Sequence, residues 1–137
     1  MISTEVLAWR HAQRLAHKRV AFTNGCFDLL HTGHLALLTS ARQTADALVV
    51  AVNTDASTRR LKGDKRPIVP QAERVELILA LEPVDQVILF DEDTPLQAIL
   101  ALQPDVLVKG ADWAEDKIVG ASEVKAWGGE VVRVPLR

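Results

Sequence analysis

RVAFTNGCFDLLHTGHLALL occupies residues 19–38. Arg19 to Thr23 is a short apolar run that reads as a strand. Asn24 to Leu30 reads as a glycine-containing loop. A helix is predicted to begin near Thr32, with Leu35, Leu38 and Arg42 at helical spacing. Strand, glycine loop and helix start in this order form half of a βαβ unit.

The same alternation continues toward the C-terminus. ALVVAVN (47–53) is apolar throughout, as a strand buried on both faces would be. Asp55 to Val69 is polar and basic and reads as a loop with a helical turn. A helix is predicted over Pro70 to Leu81, with proline suited to its first turn. Gln86 to Phe90 reads as the third strand. Thr94 and Pro95 read as an N-cap and first helical residue, opening a helix to Leu102. Val106 to Lys109 is the fourth strand. A short helix follows near Ser122 to Trp127, Gly128-Gly129 ends it, and Val131 to Val134 is the fifth strand. Upstream, Thr4 is placed to cap a first helix reaching His17, with Leu7, His11 and Leu15 on one face. Repeated strand–helix alternation predicts one α/β domain, a Rossmann-like doubly wound parallel sheet in order 3-2-1-4-5 with helices on both faces. Ligands of such sheets bind beyond the carboxyl ends of the strands, where the winding reverses. Strands 1 and 4 flank that reversal, and the two most unusual loops, 23–28 and 109–113, follow them.

Composition narrows the classes. The chain has 137 residues, about half of them apolar, and a formal net charge of −2. No long basic run points to a nucleic-acid partner. No apolar run approaches the roughly 18–20 residues that span a bilayer. Cys26 is the single cysteine, so no internal disulfide forms, and a lone thiol suits a reducing cytoplasm.

The sharpest chemical feature is His31-Thr32-Gly33-His34. At i and i+3 on a helical turn, the two rings share one side. The free N–H groups and positive end of a helix suit a phosphate. Two imidazoles beside them are placed to donate hydrogen bonds to it as charge builds. Two alternatives are a pair of ordinary surface histidines and a metal pair. No further His or Cys lies nearby to complete a transition-metal site. Gly25 either serves a tight turn and close phosphate approach or is an ordinary loop glycine. Asp28 either holds the loop through backbone N–H groups or is solvated. Cys26 reads as lining. Asn53 and Asp55, at the end of strand 2, face the same rim or cap the next element. Lys62, Lys65 and Arg66 either neutralise phosphates or form a solvated loop. Glu73 and Arg74 read as a surface pair. Asp91 to Asp93 read as a solvated acidic run. Trp113 covers a base or ribose or closes the core, and Trp9 and Trp127 read as structural.

TNGCFDLLHTGH (23–34) resembles the signature of the cytidylyltransferase-like nucleotidyltransferase superfamily. AVNTD (51–55), LKGDKRP (61–67), FDEDTP (90–95), PDVLVKG (104–110) and GGEV (128–131) are similar to the bacterial D-glycero-β-D-manno-heptose 1-phosphate adenylyltransferases. The resemblance runs from about residue 19 to the end. It implies transfer of AMP from ATP to heptose 1-phosphate, with pyrophosphate released and ADP-heptose formed for the lipopolysaccharide core. By position, His31, His34 and Lys62 would carry catalysis. Thr23, Asn24, Gly25, Cys26, Phe27, Gly33, Lys109, Gly110, Asp112 and Trp113 would hold the nucleotide. Asp28, Asn53, Asp55, Lys65 and Arg66 would bind the sugar phosphate. Mg²⁺ is implied as the triphosphate's partner, with no metal site of the protein's own. A cytoplasmic homodimer is implied, as is a stand-alone domain lacking the sugar kinase that precedes it in many bacteria. The superfamily places a Ser/Thr-rich segment shortly after the last strand. The sequence reaches Pro135-Leu136-Arg137 short of it, and a further tail is the expectation. Two rivals stand beside this reading: a glycerol-3-phosphate cytidylyltransferase, and a non-catalytic nucleotide-binding module.

Overall fold

The computed structural model describes residues 2–135; Met1, Leu136 and Arg137 lie outside the described residues. Its centre is β2 (Ala47–Asn53), buried along its whole length. β1 (Val20–Gly25) and β3 (Gln86–Phe90) flank it, followed on the β1 side by β4 (Val106–Gly110) and β5 (Glu130–Val134). All pairings are parallel and the order is β3-β2-β1-β4-β5, as the alternation predicts. Side chains of a strand alternate between faces, and here both faces are covered. Phe22, Val49, Ala51 and Leu107 pack on one side with α5 (Leu96–Leu102) and α6 (Ala121–Ala126). Ala21, Leu48, Val50, Val52 and Val108 pack on the other with α2 (Thr32–Gln43) and α4 (Gln71–Leu79). That two-sided burial is why the β2 sequence shows no polar alternation. Among the described residues no helix is long and apolar enough to cross a membrane.

The boundaries depart from the sequence reading in instructive places. Ser3, with extended backbone, caps α1 (Thr4–Leu15) by accepting from the Val6 N–H at 3.2 Å; Thr4 is already helical. The face of α1 that packs is not Leu7, His11 and Leu15, of which Leu15 is 68% exposed. Val6, Trp9 and Arg10 pack instead. Arg10 is buried because its guanidinium donates to the carbonyls of Leu102 and Gln103 and to Asp105. Trp127 is structural as expected, donating through Nε1 to the Pro104 carbonyl. The basic stretch after β2 holds a full helix, α3 (Asp55–Lys62), capped by Thr54. Its buried residues are Ser57 and Thr58, so no apolar periodicity announces it. β1 runs two residues further than expected, and Pro95, not Thr94, is the N-cap of α5, which starts at Leu96.

Gly129 turns the chain from α6 into β5 under tight packing. A Cβ there would lie 2.6 Å from Val124 Cγ1 and 2.7 Å from the backbone oxygen of Asp105. The backbone cannot yield cheaply, so Gly129→Ala is expected to destabilise the domain by about 1–3 kcal/mol, measured by urea unfolding. A midpoint equal to that of the parent protein would contradict this packing.

Candidate active site

β1 stays paired with β2 as far as Gly25↔Val52, but with β4 only to Phe22↔Leu107. The sheet therefore parts at the carboxyl ends of β1 and β4. Thr23 spans the start of the parting, its Oγ1 donating to the Val108 carbonyl at 2.9 Å. Two cavities open beyond it, of about 680 and 330 Å³. Asn24, Gly25, Cys26, Lys62 and Trp113 line both and form their common wall. The larger adds Phe27, Asp28, His34, Arg66 and Asp112, and the smaller adds Asn53, Lys109 and Lys117.

His31 and His34 cap α2 reciprocally. His31 Nδ1 accepts the Gly33 N–H at 3.1 Å, and His34 Nδ1 accepts the His31 N–H at 3.2 Å. The rings stack with centroids 3.9 Å apart. An accepting Nδ1 carries no proton, so each neutral ring bears its proton on Nε2. The helix start thus holds two imidazole N–H donors in one fixed tautomer. Gly33 is required because a Cβ there would sit 2.8 Å from the His31 ring. Phe27, held at φ 50°, packs edge-on against His34 at 5.4 Å. Burial, then His31 and Lys62, lower the His34 pKa from its ordinary 6.5 and keep the ring neutral.

The segment that follows α3, which ends at Lys62, is fastened to the loop leading into α2. The Asp28 carboxylate accepts from the backbone N–H groups of Ile68 and Val69 and pairs with Arg66 at 3.0 Å. Burial raises the Asp28 pKa, but these donors outweigh it and the net shift is downward. Arg74, which the sequence reading placed at the surface with Glu73, is 1% exposed. It donates to the carbonyls of Val69, Cys26 and Asn53, each within 2.8 Å, and pairs with Asp55 at 2.7 Å. One guanidinium thereby ties together the loops after β1 and β2 and the segment entering α4. Nothing in the spacing of Arg74 distinguishes it from a solvated helix residue.

Several expected site residues are committed within the fold. Thr23, His31, Gly33, Asp55, Lys65 and Gly110 line neither of the two cavities. The Asp55 carboxylate belongs to Arg74, and Asn53 donates through Nδ2 to Ser57. Arg66 is taken by Asp28, while Lys62 is exposed and lines both cavities. Trp113 is 46% exposed, so it walls the site and does not close the core. Leu61, Phe90, Asp93, Thr94 and Val119, unremarked as site residues in the sequence, line the smaller cavity. Asp93 belongs to the acidic run read as solvated, and its carboxylate pairs with Arg60 at 2.9 Å.

Residues 22–136 match the family described as cytidylyltransferase-like. The chain belongs to that family. Relatives include proteins named bifunctional protein HldE. That of Methylobacillus flagellatus is 52% identical over 128 residues, covering 93% of this chain and 25% of its own length. That of Gluconobacter oxydans is 58% identical over 118 residues, covering 86% and 25%. The chain thus spans about a quarter of the curated relatives it matches. A crystal structure titled lipopolysaccharide core biosynthesis protein, from Thermoplasma volcanium, superposes with a TM-score of 0.71 at 31% identity, covering 88% of this chain and 97% of that one. Membership of the cytidylyltransferase-like family agrees with the TNGCFDLLHTGH segment, whose capping and packing are described above.

The lowered His34 pKa carries a sign for stability. The folded state binds fewer protons than the unfolded chain between the folded pKa and the unfolded value near 6.5, so stability rises with pH across that window. It is complete above 6.5 and is lost as pH falls through the folded pKa. An NMR titration is expected to place the His34 midpoint below 6.5, and His34→Gln should flatten the fall in melting temperature on acidification. A His34 midpoint above 6.5 would contradict both.

Proposed function

We propose that this domain is an adenylyltransferase joining AMP from ATP to D-glycero-β-D-manno-heptose 1-phosphate, giving ADP-heptose and pyrophosphate. The observation that carries the reading is the reciprocal cap, which leaves two Nε2–H donors at the start of α2, with His34 lining the larger cavity. Such donors favour charge developing on an α-phosphate and need no reorganisation when it forms. An oxygen of the sugar phosphate attacks the α-phosphorus and forms the new P–O bond. The bond to the α,β-bridging oxygen breaks, and pyrophosphate leaves with its electron pair. The attacking oxygen is already anionic, so no proton has to be removed. Catalysis is then positioning and electrostatic stabilisation. Lys62, on the wall common to both cavities, is placed to hold phosphates of either substrate.

Among the described residues no group of three or more His, Cys, Asp or Glu side chains is gathered as for a metal ion. Mg²⁺ would arrive on the triphosphate, since this ion is commonly held by substrate phosphates, water and one or two carboxylates. Asp112, on the larger cavity, is the carboxylate available for it; Asp28 is taken up by its three donors. When bound, the ion supplies charge neutralisation at the phosphates. The heptose assignment draws support from the LKGDKRP and PDVLVKG segments and from the likeness to a lipopolysaccharide core biosynthesis protein. The same reading takes the enzyme to be cytoplasmic and homodimeric, with no nucleic-acid partner.

The test is pyrophosphate release with Mg²⁺ and heptose 1-phosphate, comparing ATP with CTP. Release with ATP that depends on the sugar phosphate is expected. Release only with CTP and glycerol 3-phosphate would overturn the substrate, and ATP binding without release would favour a binding module. The cap and the chemistry separate at His31. His31→Ala loses both and is expected to cost about 1 kcal/mol of stability. His31→Asn keeps a capping oxygen and should leave stability near the parent's. Both should lower turnover by about 100-fold or more. Near-parental turnover in His31→Asn would remove this imidazole from the mechanism.

A further inference from the structure

We infer that Lys109 holds the phosphate of the acceptor sugar phosphate in the smaller cavity, while ATP occupies the larger one. This rests on the transferase reading above and assigns its two substrates to two places.

Lys109 is partly buried near the end of β4 and lines the smaller cavity. Its Nζ has one weak hydrogen bond, to Asn24 Oδ1 at 3.5 Å, and lies 5.4 Å from the centroid of the Trp113 ring. Among the described residues, no carboxylate lies within ion-pair distance of it. A shielded ammonium with so little compensation is costly unless an anion completes it. Burial accordingly lowers its pKa, against the opposing effect of Asp112 and Cys26. Lys62 and Lys117 line the same cavity, and its one acid, Asp93, is already paired with Arg60. Three ammonium groups suit a phosphate monoester, whose charge near neutrality is about −1.5 to −2. Leu61, Phe90 and Ile118 offer apolar faces to the ring carbons of a sugar.

The partition between substrates follows from the chemistry. The larger cavity has His34 and Lys62, and its volume of about 680 Å³ is twice that of its neighbour. Attack in line requires the acceptor to approach the α-phosphorus from the side opposite departing pyrophosphate. Two cavities meeting at the Asn24–Cys26 wall provide two such directions. Lys109, expected from the sequence resemblance among the nucleotide ligands, lines the cavity without the histidine.

The experiment titrates the parent chain and Lys109→Met by calorimetry with Mg²⁺ and a non-hydrolysable α,β-methylene ATP, then with heptose 1-phosphate. Lys109→Met is expected to weaken heptose 1-phosphate binding by about 10-fold or more, as loss of a charged hydrogen-bond donor does. The ATP analogue should bind as it does to the parent. Loss of ATP-analogue affinity, equal loss of both ligands, or no change in either would overturn the assignment. Lys109→Arg keeps the charge and should retain most acceptor affinity. It serves as the deciding variant if Lys109→Met does not fold, and equal weakening of both ligands in it would likewise overturn the assignment. A parent chain that binds neither ligand would refute the transferase reading itself. Parent binding of both with Lys109 variants unaffected would refute only the role of Lys109.

Discussion

The Arg74 guanidinium is the interaction on which the site's shape depends. A buried charge is tolerated only when its hydrogen bonds are met, and here Nε, Nη1 and Nη2 are all engaged. Two of its partners are main-chain carbonyls at the carboxyl ends of β1 and β2, where backbone groups leave the sheet ladder and need new partners. Satisfying them with one rigid fork sets the separation of the loops after β1 and β2. Asp28 completes the clamp from the other side. Val69 gives its carbonyl to Arg74 and its N–H to Asp28, so this one residue is held from both directions. The segment that follows Lys62 is thereby held against the loop leading into α2.

The helix start shows structure and chemistry sharing the same atoms. An α-helix leaves its first N–H groups unmet, and Ser, Thr, Asp or Asn usually answers them. Here two imidazoles do so through Nδ1, which leaves both Nε2–H groups oriented by the cap itself. Gly33 belongs to that device, since any side chain would strike the His31 ring. The spacing of the motif is thus explained by ring packing and capping before any ligand is considered. Protonation at Nδ1 would break the cap, so the helix start and the neutral donor state are linked.

Most of the architecture was legible because it rests on local pattern. The ALVVAVN run, the Thr94-Pro95 helix start and the Gly128-Gly129 stop are signals carried by neighbouring residues, and right-handed crossovers leave few sheet orders. The elements misread were those stabilised by polar burial. α3 buries Ser57 and Thr58, and α1 docks through Arg10, so a search for apolar periodicity passes over the first and rotates the second.

By itself the sequence determined the parallel sheet, its order, the place where the winding reverses and the histidine pair at the helix start. These depend on residue type and spacing over a few turns of chain. Which charged groups are free for a ligand depends on contacts that form on folding. Asp28, Asp55 and Arg66 look like site candidates in one dimension and Arg74 like a surface residue, yet they pair with one another once folded. Lys62 and Lys109 line the cavities without a carboxylate partner among the described residues. The reason is physical. Ion pairing acts through space over a few ångströms, and partners such as Asp28 and Arg66 stand far apart in the chain, whereas strand and helix periodicity act between near neighbours.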